Sequence, residues 1–181
     1  LTPVWVTRRS RVVYENPWIS VREDDVTRPD GTEGIYGVVR LRRPAVFIVA
    51  MTEADEVVLV QVPRYTTGIE SWEIPAGGSD GEDPLVAAQR ELREESGFAA
   101  AEWTYLGSMS ALNGIADAQE FVYLARGLTE VGGDEQGDEG ILAMELTPWT
   151  DVMAMLRRGE IVDGETVACL MLAALHLGRV A

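Results

Sequence analysis

An α+β fold built round a mixed β-sheet is what this sequence predicts, and three observations carry that expectation. Apolar runs of strand length recur from residue 11 to residue 147, and only three segments carry helix signals. Hydrophobic residues make up 46% of 181 positions, enough for one well-cored domain.

Residues 11–28, RVVYENPWISVREDDVTR, hold β-branched and aromatic runs; RPDGTEG (28–34) supplies Pro-Asp-Gly turn chemistry before a second run, IYGVVRL (35–41). They predict an N-terminal antiparallel strand element over 1–43, followed by a main domain over 44–181. AVFIVAM (45–51) and VVLVQV (57–62) flank the polar TEADE and predict two buried strands joined by a short turn. SWEIP (71–75) adds another strand.

Asp83 before Pro84 is a helix start, because the carboxylate caps free backbone N–H groups and proline tolerates the first helical position. Gly97 is the matching stop, so the first helix spans Pro84 to Ser96. Strands are expected at 103–108, 119–126 and 141–147, then helices near 149–158 and 165–177. Gly127 to Met144 contains no basic residue and is rich in glycine and acid, the composition of a solvated loop.

Thirty acidic residues against fifteen basic ones leave a net charge of −15, which disfavours nucleic acid and anionic membrane surfaces as partners. Every basic residue is arginine. The absence of lysine removes Schiff-base chemistry, pyridoxal phosphate anchoring and the phosphate-binding lysine of a P-loop. The single cysteine, Cys169, and the single histidine, His176, share the apolar stretch VACLMLAALHLG and read as structural residues. The opening LTPVWVTRRSRV lacks a secretory pattern, no apolar run reaches bilayer-spanning length, and a cytoplasmic location is expected.

Glu91, Glu94 and Glu95 stand at i, i+3 and i+4 of the first helix and share a face beside an apolar stripe of Leu85, Ala88 and Leu92. The spacing leaves two readings. On a solvated face each like-charge pair costs only about 0.2–0.5 kcal/mol. Partly buried, two carboxylates ~5.5 Å apart repel by roughly 3 kcal/mol at an effective dielectric near 20, and the trio then needs protons or a cation. Hard oxygen ligands favour Mg²⁺, with Mn²⁺ as a substitute.

The longer stretch PAGGSDGEDPLVAAQRELREESGF (75–98) resembles the signature of the Nudix hydrolases: Gly, five residues, Glu, seven residues, then Arg-Glu-apolar-any-Glu-Glu-any-Gly-apolar. Glu82, Arg90, Glu91, Leu92, Glu94, Glu95, Gly97 and Phe98 all fall on it. One departure is visible, since only four residues separate Gly77 from Glu82. QVPRYTTGIESWEIPAGG (61–78), YENPWISVREDDV and GEIVDGETVACLMLAAL are similar to the ADP-ribose and nucleotide-sugar pyrophosphatase branch, so the resemblance spans nearly the whole chain.

The resemblance implies a Nudix-type α/β/α sandwich, Mg²⁺-dependent hydrolysis of a nucleoside diphosphate linked to another moiety, and a homodimer whose N-terminal strands are exchanged. Glu91, Glu94 and Glu95 would hold the metal, with the backbone carbonyl of Ala76 as a further ligand, while Arg90 and Glu82 support the loop–helix geometry. The catalytic base is implied on a loop after the signature, where Glu139 in GDEGI fits best and Glu135 is second. Arg64 would clamp phosphate, and Glu73 would orient its neighbours. Trp18 would stack a base; a buried core tryptophan is the alternative. Asn113-Gly114 lies in the neighbourhood where ADP-ribose-selective enzymes carry a proline, so the resemblance makes ADP-ribose a leading candidate and not an identification, with ADP-glucose, GDP-mannose or another nucleotide sugar in its place. The shortened loop motivates one competitor, a catalytically silent nucleotide-sugar sensor. A purely structural dimerisation protein would leave the acidic helix unexplained.

Overall fold

In the run AVFIVAM, Val46, Ile48 and Ala50 join one core cluster while Phe47, Val49 and Met51 join another. A strand that is apolar on both faces needs cover on both. The computed structural model, which describes residues 4–132 and 136–180 without the side chains of Asp138 and Glu139, supplies that cover. The chain runs β1 (Val6–Glu15), β2 (Ile19–Thr27), β3 (Glu33–Leu41), β4 (Ala45–Ala50), β5 (Glu56–Arg64), β6 (Ile69–Glu73), β7 (Ala76–Gly78) and α1 (Pro84–Ser96). It continues with β8 (Phe98–Met109), β9 (Ala116–Asp117), β10 (Glu120–Glu130), α2 (Gln136–Glu139), β11 (Ala143–Pro148), α3 (Trp149–Arg158) and α4 (Gly164–His176). It divides into two compact units, Leu1–Pro44 with Ser110–Gln119, and Ala45–Met109 with Glu120–Ala181.

The first unit is one sheet, β1-β2-β3-β9, in which β1 to β3 form the expected antiparallel meander and β9 joins β3 in parallel. Every residue of β1 is exposed, including Val12, Val13 and Tyr14. The turn into β2 is fixed by Asn16, whose Oδ1 accepts from the N–H of Trp18 at 2.9 Å and of Ile19 at 2.8 Å. Trp5 meets Tyr36 edge-on, and the Tyr36 hydroxyl donates to the carbonyl of Gly114 at 2.6 Å.

The second unit carries two sheets, β7-β4-β10-β8 and β11-β5-β6, and the parallel pairing of β10 with β4 among antiparallel neighbours makes the sheet mixed. On one face Val46, Ile48, Ala50, Val58, Tyr123 and Ala125 meet Ala87, Ala88 and Leu92 of α1. On the other, Val49, Leu59, Val122 and Leu124 meet Trp149 and Val152 of α3 and Cys169, Leu170 and Ala173 of α4. This is the α/β/α sandwich of the expected fold class. Burying one such leucine is worth roughly 1.5–3 kcal/mol, so the two faces hold the helices in place without help from their propensity.

The termini of α1 follow the residues foreseen. Asp83 accepts from the N–H of Leu85 at 2.9 Å, and Gly97, at φ 74°, returns its N–H to the carbonyl of Arg93. Two boundaries differ from expectation. The strand over 71–75 stops at Glu73, because Ile74 and Pro75 carry the chain from one sheet to the other before β7 begins. The segment from Gly127 to Met144 is not wholly loop, since it contains the end of β10, the short α2 and the start of β11.

Candidate active site

Arg90 organises the acidic helix. Its Nη1 donates to Glu91 Oε1 at 2.8 Å and Glu94 Oε2 at 2.9 Å, its Nε to Glu82 Oε2 at 2.9 Å, and its Nη2 to the carbonyl of Gly78 at 2.9 Å. Burial works against charging this guanidinium, yet the bonds to Glu82, Glu94 and Glu91 outweigh it and hold its pKa above the ordinary arginine value. Glu91 is 6% and Glu95 8% exposed, and the Glu94 side chain is 13% exposed. The trio is therefore not a solvated face. Three carboxylates at the edge of a core need compensating positive charge, which Arg90 supplies to Glu91 and Glu94 and Arg93, at 3.5 Å, to Glu94.

The loop before the helix brings its backbone against these acids. The N–H of Ala76 donates to Glu95 Oε2 at 2.9 Å. A Cβ at Gly77 would stand 2.2 Å from the Glu91 carboxyl carbon, so a side chain there would have to push that carboxylate aside. The shortened loop closes as a tight turn: Glu82 N–H returns to the Ser79 carbonyl at 2.8 Å, with Asp80 (φ 49°) and Gly81 (φ 90°) both left-handed, as in a type I′ turn. The missing residue is thus absorbed without losing the contacts of Gly78 and Glu82 to Arg90.

Among the described residues no three His, Cys, Asp or Glu side chains converge closely enough to enclose an ion as they stand. Arg90 lies between Glu91 and Glu94, and Glu95 turns to Ala76. The donor set nevertheless fits a hard divalent cation: three carboxylates from one helix turn, with backbone packed against them at a glycine. Ala76 itself sits in β7, paired with Phe47.

Arg64, at the end of β5, holds Glu73 on the neighbouring β6. Its Nε lies 3.1 Å from both carboxylate oxygens and its Nη2 also binds Oε2. Glu73 is 2% exposed whereas the Arg64 side chain is half exposed. The bond to Glu73 raises the Arg64 pKa against the opposing effect of burial, and the charges of Asp163 and Glu95 act in the same sense. Arg64 is thus the outer member of a buried pair and keeps an edge towards solvent. Burial, reinforced by Asp163 and Glu73, pushes Glu165 at the start of α4 above the usual carboxylate range.

The remaining sequence candidates divide. Trp18 is 74% exposed in the first unit, so the buried alternative is overturned; Pro17 and Asn16 set its turn. The backbone of Glu139 closes α2, which lies against α1 and is sealed by the Ile141 N–H to the Gln136 carbonyl at 2.9 Å. The Glu139 side chain and the whole of Glu135 lie outside the described residues. Cys169 is fully buried, its thiol pushed up by burial, and His176 ends α4. No helix among the described residues is long and apolar enough to cross a membrane. The sequence reading missed the Asp163–Thr166 cap of α4, where the Asp163 carboxylate accepts from the Thr166 N–H at 2.7 Å; its signal, an aspartate three residues before a threonine, was present in DGET.

Residues 5–39 match the model of a nucleoside diphosphate sugar hydrolase N-terminal domain, and residues 41–169 match the NUDIX domain. An ADP-ribose pyrophosphatase of Mycobacterium tuberculosis is 36% identical over 173 residues, covering 94% of this chain and 82% of the relative. A CMP-5'-(N-acetyl-N-hydroxy-3-aminopropyl)phosphonate hydrolase of Streptomyces rubellomurinus is 31% identical over 175 residues, covering 96% and 84%. A crystal structure of an ADP compounds hydrolase superposes with a TM-score of 0.83 over 97% of both chains at 24% identity, a likeness of fold.

Proposed function

This chain belongs to the Nudix hydrolase family, and from that premise we propose that it hydrolyses the diphosphate linkage of ADP-ribose or a related nucleotide sugar, with Mg²⁺, to a nucleoside monophosphate and a sugar phosphate. The observation that carries the reading is the carboxylate trio of α1, gathered on one helix face at the edge of the core and lined by backbone at Gly77. The M. tuberculosis relative, an ADP-ribose pyrophosphatase, supports the substrate class; the S. rubellomurinus relative is named for a CMP-linked phosphonate.

Glu91, Glu94 and Glu95 would hold the cation, with the Ala76 carbonyl beside them. Bound there, Mg²⁺ would supply Lewis-acid polarisation of a phosphate oxygen and a water of lowered pKa. The protein's own groups do the rest. Arg64, with an edge turned to solvent, binds a phosphate oxygen while Glu73 fixes the plane of its guanidinium. Arg90 keeps the loop from Gly78 to Glu82 docked on α1 and so holds the carboxylates in register. Glu139, on α2 beside α1, takes the proton from the attacking water. Trp18, exposed on the N-terminal unit, offers a ring for stacking the base. The exposed β1 and the N-terminal residues 1–43 form the surface on which a second copy pairs.

A panel of nucleotide sugars incubated with Mg²⁺, with products separated by chromatography, tests the reading. ADP-ribose is expected to yield AMP and ribose 5-phosphate. Failure of every member of the panel to release a monophosphate would leave a silent binding protein as the better description.

A further inference from the structure

Between Glu73, which anchors Arg64, and Ala76, which binds Glu95, the chain leaves one sheet and enters another. The ladder of β5 with β6 ends at the pairing of Val60 with Glu73, and that of β4 with β7 begins at Ala76. Ile74 falls in the gap. It is 1% exposed, so its N–H has neither water nor a strand partner there, and an unmet buried donor is costly. Pro75 has no N–H, and its carbonyl accepts from Ile48 at 2.9 Å.

The partner of Ile74 comes from 92 residues away. Thr166, in the first turn of α4 and 1% exposed, accepts the Ile74 N–H on Oγ1 at 3.3 Å. Thr166 is itself fixed by the Asp163 cap at 2.7 Å. The same short segment is then gripped by Glu95 at Ala76 and by Arg90 at Gly78, with no spare room at Gly77. The carboxylates of α1 and the Arg64–Glu73 pair are thus joined through four residues of backbone. Where Glu95 and Arg90 hold this backbone from α1, the hydroxyl of Thr166 holds it from α4.

We propose that Thr166 is a positioning residue for the active site: by holding the crossover at Ile74, α4 sets the spacing between the phosphate-binding arginine and the cation-binding helix. The inference rests on the proposed function for its catalytic consequence, but its geometric content stands apart from it. Outer-shell partners of this kind change metal affinity or activity by about 10–100-fold when removed.

The test compares Thr166→Val, which keeps the shape and removes the acceptor, with Thr166→Ser, which restores it. Three quantities are read on folded protein: hydrogen exchange of the Ile74 amide without metal, Mn²⁺ affinity by electron paramagnetic resonance, and kcat/KM on the best substrate of the panel. T166V is expected to exchange the Ile74 amide faster and to lose about 10-fold in both Mn²⁺ affinity and kcat/KM, with T166S close to wild type. Wild-type exchange and Mn²⁺ affinity in T166V, or a lowered melting temperature as the sole change, would overturn the proposal. Should T166V fail to fold, Thr166→Ala carries the same comparison. A wild-type protein that turns over no nucleotide sugar would refute the function, while exchange and Mn²⁺ binding would still decide the role of Thr166.

Discussion

The two units of this molecule bury their strands in opposite ways. In β1 all ten residues are exposed, whereas β5 keeps four consecutive valine and leucine side chains wholly inside. Charge divides along the same line. The first unit carries eight arginines against seven acids, and the second carries seven against twenty-three. The first unit is held by its ladder and by exposed pairs such as Arg42–Glu15 and Arg11–Glu23, each of which contributes only about 0–1 kcal/mol. The second is held by two cores, one on each face of the sheet. The difference teaches where each kind of substitution will be felt: burial makes the second unit sensitive to shape and charge, while the first is tolerant until something covers it.

The largest effect is expected where burial and charge coincide. Glu95→Gln keeps an acceptor for the Ala76 N–H but removes the charge, so monophosphate release should fall by about 100-fold or more while the melting temperature changes little. Release near the wild-type rate would remove Glu95 from the metal assignment.

A matched pair of truncations sharpens the contrast in stability. Leu92→Ala empties a fully buried site under the sheet and should cost about 2–5 kcal/mol in urea denaturation. Val12→Ala on β1 should stay within about 0.5 kcal/mol. If β1 is where a second copy pairs, Val12→Asp will shift the protein from dimer to monomer in light scattering without unfolding it. A wild-type protein that is monomeric at every concentration would end that part of the account.

The smallest effect concerns pH. Arg179 bonds Asp55, at 3.0 Å from Nη1 to Oδ2, and chiefly through that bond lowers the aspartate's pKa. A lowered folded-state pKa gives stability that is present above the usual carboxylate range and is lost as pH falls through the folded value. Asp55 is half exposed, so the contribution is small. Asp55→Asn should therefore flatten slightly the acid limb of the stability curve and leave it unchanged near neutrality. A steeper acid limb in the variant would contradict the assignment.

Much of this was legible beforehand, for definite reasons. The α1 boundaries were readable because Asp83, Pro84 and Gly97 act locally. β4 and β5 were readable because a strand buried on both faces has to be apolar throughout. The glutamate trio could be placed on one face, but spacing could not say whether that face was wet, since burial depends on residues far along the chain. Trp18 gave no periodic signal to separate a core ring from an exposed one. The Arg64–Glu73 pair spans a hairpin whose register sequence leaves open. The Thr166 contact with Ile74 was beyond reach altogether, because a helix cap predicts where a helix begins and not what it touches.

Arg90 spends its hydrogen-bonding edges on two different audiences, acids on one side and the Gly78 carbonyl with Glu82 on the other. Should an arriving cation draw Glu91 and Glu94 away, the guanidinium still has its grip on the turn, and the entrance to the site keeps its shape. A lysine, with a single nitrogen at its tip, could not divide its loyalties in this manner, so Arg90→Lys should be read as the loss of a hinge pin and not as the exchange of one positive charge for another.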